Sequence, residues 1–132
     1  MAGAVATPLA ARQASQRGAA RWWWALVGAY AAVVFVFSIL PVGLEPEVPH
    51  LDKVIHLCEY AVFAWLLTQA IHATAHPPHV RFYLLWAWLY ATSYGALMEV
   101  VQLMVPWRSA DWLDAVANAL GAALGAWIGR RT

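Results

Sequence analysis

Apolar residues fall along this chain in four long runs, each close to the length of a membrane-crossing helix and each bounded by proline, charge or both. The first, WWWALVGAYAAVVFVFSIL at 22–40, stops at Pro41, whose ring removes the backbone donor that a continuing helix needs. The second runs from about 53 to 71, the third from about 82 to 105 and the fourth from about 111 to 129. A span takes about 20 mostly apolar residues, so four of them use nearly the whole chain. The pattern predicts an all-α polytopic membrane protein, with short connections that make successive helices antiparallel. A signal peptide is the competing reading of the first run. That run, however, exceeds the roughly 7–15 residue core of a signal, and no convincing A-x-A site follows it. Residues 1–21, rich in Ala, polar and basic residues, are expected to be a flexible basic tail before a four-helix domain at 22–132.

Composition agrees with the pattern. The chain is 63% hydrophobic and 11% charged, against about 25% charged residues in soluble domains. The net charge of +1 matters less than where the charges lie. The tail, the connection HATAHPPHVR and the C-terminus hold Arg12, Arg17, Arg21, Arg81, Arg130 and Arg131 and no acid, which predicts that both termini face the cytoplasm. Trp22 to Trp24 would mark the inner interface, and Trp107 with Trp112 the outer one. Cys58 is single, so it forms no internal disulfide, and its apolar surroundings read as those of a small buried hydrophobe. His72, His76 and His79 lack an accompanying Cys or acid and are interrupted by two prolines, so they read as a polar linker. No metal and no cofactor are expected.

Polar residues inside the runs recur at helical spacing. Asp52, His56, Glu59 and Tyr60 share a face of the second run, Gly95, Glu99 and Gln102 a face of the third, and Asp111, Asp114 and Asn118 a face of the fourth. That last face continues into Gly121, Gly125 and Gly129, a small-residue stripe suited to packing against another span or, less readily, a second copy. At about 1.5 Å rise per residue, Glu59, Glu99 and Asn118 each lie roughly 9–10 Å inside the outer ends of their spans. Ionisable groups facing lipid cost about 2.5–3.5 kcal/mol each at mid-span, so facing one another is cheaper. These residues therefore predict an outward-facing polar pocket lined by spans two, three and four, with Lys53 and Arg108 at its rim. Asp52, Glu59, Glu99, Asp111 and Asp114 outnumber Lys53, Arg108 and His56, so the pocket needs protonated carboxyls, water or a cation to balance its charge.

The segments DKVIHLCEY, EVVQ, PWRSADWLD and NALG, in this order and spacing, resemble the VanZ-like membrane proteins. Their pattern runs D-K-x-x-H-x-x-x-[YF], E-x-x-Q, P-G-R followed by an Asp, and N-x-x-G. The resemblance covers about 52 to 125. It marks Asp52, Lys53, His56, Tyr60, Glu99, Gln102, Pro106, Arg108, Asp114, Asn118 and Gly121. Trp107 stands where the family usually has Gly, Leu57 where an aromatic often follows the His, and Glu59 matches no family position. The family name comes from an accessory protein linked to low-level teicoplanin resistance, so the resemblance implies a role in the bacterial cell envelope and residence in the cytoplasmic membrane.

Several functions fit these residues. A binding protein would place an amphiphile's head group, a cell-wall-related ligand or a membrane partner in the pocket, with Lys53 and Arg108 suited to phosphate or carboxylate. An enzyme on lipid-linked phosphates would use His56 as acid or base and Glu99 or Asp114 to orient it or activate water, making these three the candidate catalytic residues. A purely structural polar network would tie the helices together. Transport is disfavoured because the inner halves of the spans are almost wholly apolar, and nucleic-acid binding has no support.

Overall fold

The computed structural model describes residues 8–41, 50–74 and 82–131. The expectations for His76, His79 and Arg81 lie outside the described residues. Four helices and no strand occur among the described residues: α1 Pro8–Ile39, α2 Leu51–Thr74, α3 Tyr83–Leu103 and α4 Trp112–Gly129. The first helix reaches back beyond the apolar run into the Ala-rich stretch, where alanine favours helix and Pro8 at its first turn forfeits no hydrogen bond. Two segments, Ser15–Ile39 and Leu51–Thr74, are long and apolar enough to cross a membrane.

Side-chain size is distributed inside out. Much of the buried core is small, with Ala64, Ala70, Ala87, Ala91 and Ala122 wholly buried, while large apolar side chains such as Phe37, Val54, Trp86, Val100 and Leu120 stay exposed. Large apolar area of this kind marks an interaction or membrane surface. Small residues inside let backbones come together, which drives helix association where no water is available to drive hydrophobic burial. The closest approach is between α2 and α4. A Cβ at Gly121 would overlap the Leu57 carbonyl, a Cβ at Gly125 would overlap the Ala61 carbonyl, and one at Gly129 would stand 2.8 Å from the Thr68 methyl. The glycine stripe is thus spent on α2.

Aromatic residues join α1 to the rest. Trp23 meets Trp65 edge-on at 5.7 Å, Tyr30 stacks on Phe63 at 5.9 Å, and Phe63 packs on Tyr94 at 5.2 Å. The Tyr94 hydroxyl donates to the Ala31 carbonyl at 2.7 Å, and the Tyr30 hydroxyl to the Glu59 carbonyl at 3.1 Å. At the other end of α4, Arg130 and Arg131 lie over the Trp127 ring at 5.0 and 4.3 Å.

Candidate functional site

The turn between α3 and α4 sets the geometry of the polar region. Pro106 follows the end of α3, where the Met104 and Val105 amides bond back to the Val101 and Gln102 carbonyls. Asp111 then caps α4 from an extended conformation, its carboxylate accepting the Leu113 amide at 2.9 Å. The same carboxylate accepts Lys53 Nζ at 2.6 Å. Hydrogen bonds from the Lys53 ammonium and then from the Leu113 amide hold the Asp111 carboxyl below the usual carboxylate range.

Lys53 is the centre of a closed ionic cluster. Its ammonium lies 2.8 Å from Asp52, 2.6 Å from Asp111 and 2.7 Å from Asp114 Oδ1, so its three donor protons face three carboxylates. Lys53 is therefore occupied rather than open to an anionic ligand. The cluster ties the first turn of α2 to the start of α4.

One turn along, His56 Nδ1 lies 3.1 Å from Asn118 Oδ1 and His56 Nε2 lies 3.8 Å from Asp114 Oδ2. An amide oxygen only accepts, so in the Asn118 contact Nδ1 is the donor, and Nε2 is the ring nitrogen turned toward Asp114. Glu99, from α3, completes a group of three. One ligand atom from each of His56, Glu99 and Asp114 lies within 4.8 Å of the other two. Glu99 is only 9% exposed, and neither of its carboxyl oxygens has a hydrogen-bond partner. Tyr60 and Asn118 are also buried, with the Tyr60 hydroxyl and the Asn118 amide nitrogen unpartnered. Gly95 makes room for both: a Cβ there would stand 3.0 Å from the Tyr60 ring and 3.0 Å from Asn118 Nδ2.

Arg108 stands apart from these groups. Its Nη2 donates to the Phe37 carbonyl at 2.5 Å, and the neighbouring Trp107 indole donates to the Ile39 carbonyl at 3.0 Å. Both carbonyls belong to the last turn of α1, where the final four carbonyls have no partner within the helix. The α3–α4 turn thus caps α1, and Trp107 supplies half of that cap.

Beside the ionic groups, between α1 and α2, lies a cavity of about 630 Å³. Its walls are apolar, with Val33 and Phe37 from α1 facing Val54, Ile55 and Val62 from α2. His56, Glu59, Gln102 and Arg108 bring polar groups to the same space. Of the residues expected at the polar pocket, His56, Gln102 and Arg108 line this cavity, and Asp52, Lys53, Tyr60, Glu99, Asp111, Asp114 and Asn118 do not. The pattern of charges overlooked α1, which brings Tyr30 and Ser38 to the lining. Tyr30 and Ser38 are the hydroxyl-bearing residues of the run 22–40, and that was the available signal. Cys58 is exposed on this wall rather than buried, because α2 turns that face away from α4.

The arrangement offers a shielded cation, an imidazole oriented by Asn118, a buried carboxylate without a partner, and an apolar cavity that shares His56 with them. No curated protein and no solved structure matches the chain. The family model described as VanZ/LLP1 matches residues 8–131, nearly the whole length and all four helices, and on this ground the chain belongs to the VanZ/LLP1 family.

Proposed function

We propose that this protein is a multi-pass component of the bacterial cytoplasmic membrane that holds the head group of an envelope amphiphile in the cavity between α1 and α2. The four helices cross the bilayer in antiparallel succession, with both termini cytoplasmic and the α3–α4 turn outside. The acid-free basic segments support that orientation. The observation that carries the binding role is the cavity itself. Its volume of about 630 Å³ falls inside the roughly 300–1,000 Å³ of ligand sites, and its apolar walls meet a polar end. Acyl chains lie along Val33, Phe37, Val54 and Val62, while the head group meets Arg108, Gln102, His56 and Glu59. Arg108 is the cation left for a phosphate or carboxylate, since Lys53 is surrounded by carboxylates.

Cys58, the chain's single cysteine, lines this cavity and gives a direct test. Protein purified in mild detergent is expected to carry co-extracted lipid detectable by mass spectrometry. Ile55→Trp, which fills the space, is expected to strip that lipid, and bound lipid is expected to slow maleimide labelling of Cys58. Equal lipid content and equal labelling rates in the wild type and Ile55→Trp would refute the reading. The Lys53 cluster has a different role, as a structural tie between α2 and α4, because its donors are already engaged.

A further inference from the structure

We propose that His56, Glu99 and Asp114 form a binding site for a divalent first-row cation, with Asn118 as its supporting residue. The inference starts from Glu99. A carboxylate nine-tenths buried, with both oxygens unpartnered, is expensive unless something completes it. Lys53, the ammonium of this region, lies against Asp52, Asp111 and Asp114, and Arg108 is turned to the α1 carbonyl of Phe37. Three carboxylates therefore share one ammonium, and Glu99, beside His56 and Asp114, adds a fourth negative group with no cation of its own, an imbalance that a divalent cation reduces.

Geometry identifies where the cation sits. One ligand atom from each of His56, Glu99 and Asp114 lies within 4.8 Å of the others, and His56 Nε2 is 3.8 Å from Asp114 Oδ2. With metal–ligand bonds of about 2.0–2.2 Å, ligand atoms around a tetrahedral ion stand about 3.5 Å apart, so side-chain rotation closes the remainder. Asp114 divides its oxygens, Oδ1 to Lys53 at 2.7 Å and Oδ2 toward the imidazole. Asn118 Oδ1 accepts from Nδ1 at 3.1 Å, which orients the His56 ring with Nε2 toward Asp114 and available to a metal. A carbonyl-type oxygen on the second ring nitrogen is the usual support of a metal-binding histidine. One imidazole and two carboxylates suit Zn²⁺ or Mn²⁺ and leave coordination positions open. Three helices supply the ligands, so no short ligand-spacing motif appears in the chain.

The inference is independent of the amphiphile reading, because it rests on the three ligands alone. Full-length protein in detergent is stripped with a chelator and dialysed against Zn²⁺ or Mn²⁺, and retained metal is measured by elemental analysis and calorimetric titration. The wild type is expected to retain about one equivalent of one of these ions, with affinity falling at least about tenfold in Glu99→Gln and His56→Ala and about 10–100-fold in Asn118→Leu. Glu99→Gln keeps the side-chain shape and removes the unpaired charge, so its helicity and monodispersity are expected to match the wild type, separating metal loss from unfolding. Failure of the wild type to retain either ion overturns the proposal. So does retention equal to the wild type's in Glu99→Gln and His56→Ala, which would move the metal elsewhere, for example to His72, His76 and His79. Lipid content measured on the same samples reports separately on the cavity.

Discussion

The two faces of α2 are built on opposite terms. Toward α4, Leu57 and Ala61 bring their carbonyls against glycine, and Lys53 satisfies its charge among three carboxylates. Toward α1, Val54, Ile55, Cys58, Glu59 and Val62 look into open space, and Glu59 gains no ion pair among the described residues. One helix therefore carries both a seam and a cavity wall, separated by a rotation of only one or two residues. Polar residues in an apolar helix do not all serve one end. Lys53 at the seam is satisfied by the protein, whereas the Glu59 carboxyl at the cavity is left for something the protein meets. His56 is the residue common to both sides, because its ring reaches Asn118 and Asp114 while also lining the cavity.

Breaking the seam is expected to have the largest effect. Gly125→Val places branched carbons where the Ala61 backbone already is, so two helices must separate. The cost is expected at or above the roughly 1–3 kcal/mol of ordinary overpacking, since backbone cannot change rotamer. Loss of monodisperse protein on size exclusion and a lowered denaturation midpoint in detergent check it. Gly28→Ala is the matched control: open space surrounds Gly28 on α1, and the change is expected to be neutral or stabilising by up to about 1 kcal/mol. Equal damage from both substitutions would show that α2 and α4 do not meet through these glycines.

Lys53→Met comes next. It leaves three carboxylates together without their ammonium. With the groups partly solvated, the expected cost is about 1–3 kcal/mol, between that of an exposed pair and that of a buried one. Asp111→Asn added to Lys53→Met is expected to return part of the loss by relieving repulsion, and strict additivity in the double-mutant cycle would argue against a shared cluster.

On the cavity side the expected stability effects are smaller. Trp107→Phe removes one hydrogen bond to the Ile39 carbonyl, about 1 kcal/mol. Its lipid content is expected to be unchanged, whereas Arg108→Ala is expected to lose lipid as well as the bond to Phe37. If the two variants behave alike in both measurements, Arg108 is only a cap for α1.

The finest distinction is one of pH. The Asp111 carboxyl is lowered by Lys53 and the Leu113 amide, so its contribution to stability is present above the ordinary pKa of about 3.9 and fades as pH falls through the lower folded value. Asp111→Asn is therefore expected to flatten the acid limb of a stability–pH profile below about pH 4, with the difference from the wild type largest near neutral pH and closing as pH falls. An unchanged acid limb would remove Asp111 from the cluster.

The four helices were legible because the apolar runs and their proline or charged boundaries are local properties. Their bounds shifted by only a few residues, except at the start of α1, where the Ala-rich stretch joined the helix. The grouping of His56 with Asn118 and Asp114 was legible too, since residues three and four apart share a helix face. The partners of Arg108 were not, because they are carbonyls of α1, and every residue has a carbonyl. The cavity escaped notice for a similar reason, as its new wall is apolar and apolar residues in such a chain carry no distinguishing mark.

By itself, then, the sequence determined the number and type of helices, the glycine stripe and the unequal tally of acids and bases. Each of these follows from residue identity at helical spacing, which is a property of neighbours along the chain. Only the tertiary structure decided which charges were spent and which were left over. Lys53 could have met an external anion or three internal carboxylates, and that choice depends on how deeply α4 seats on α2. Gly121 and Gly125 let it seat at backbone contact. That approach closes the ionic seam and leaves Glu99 buried without a partner.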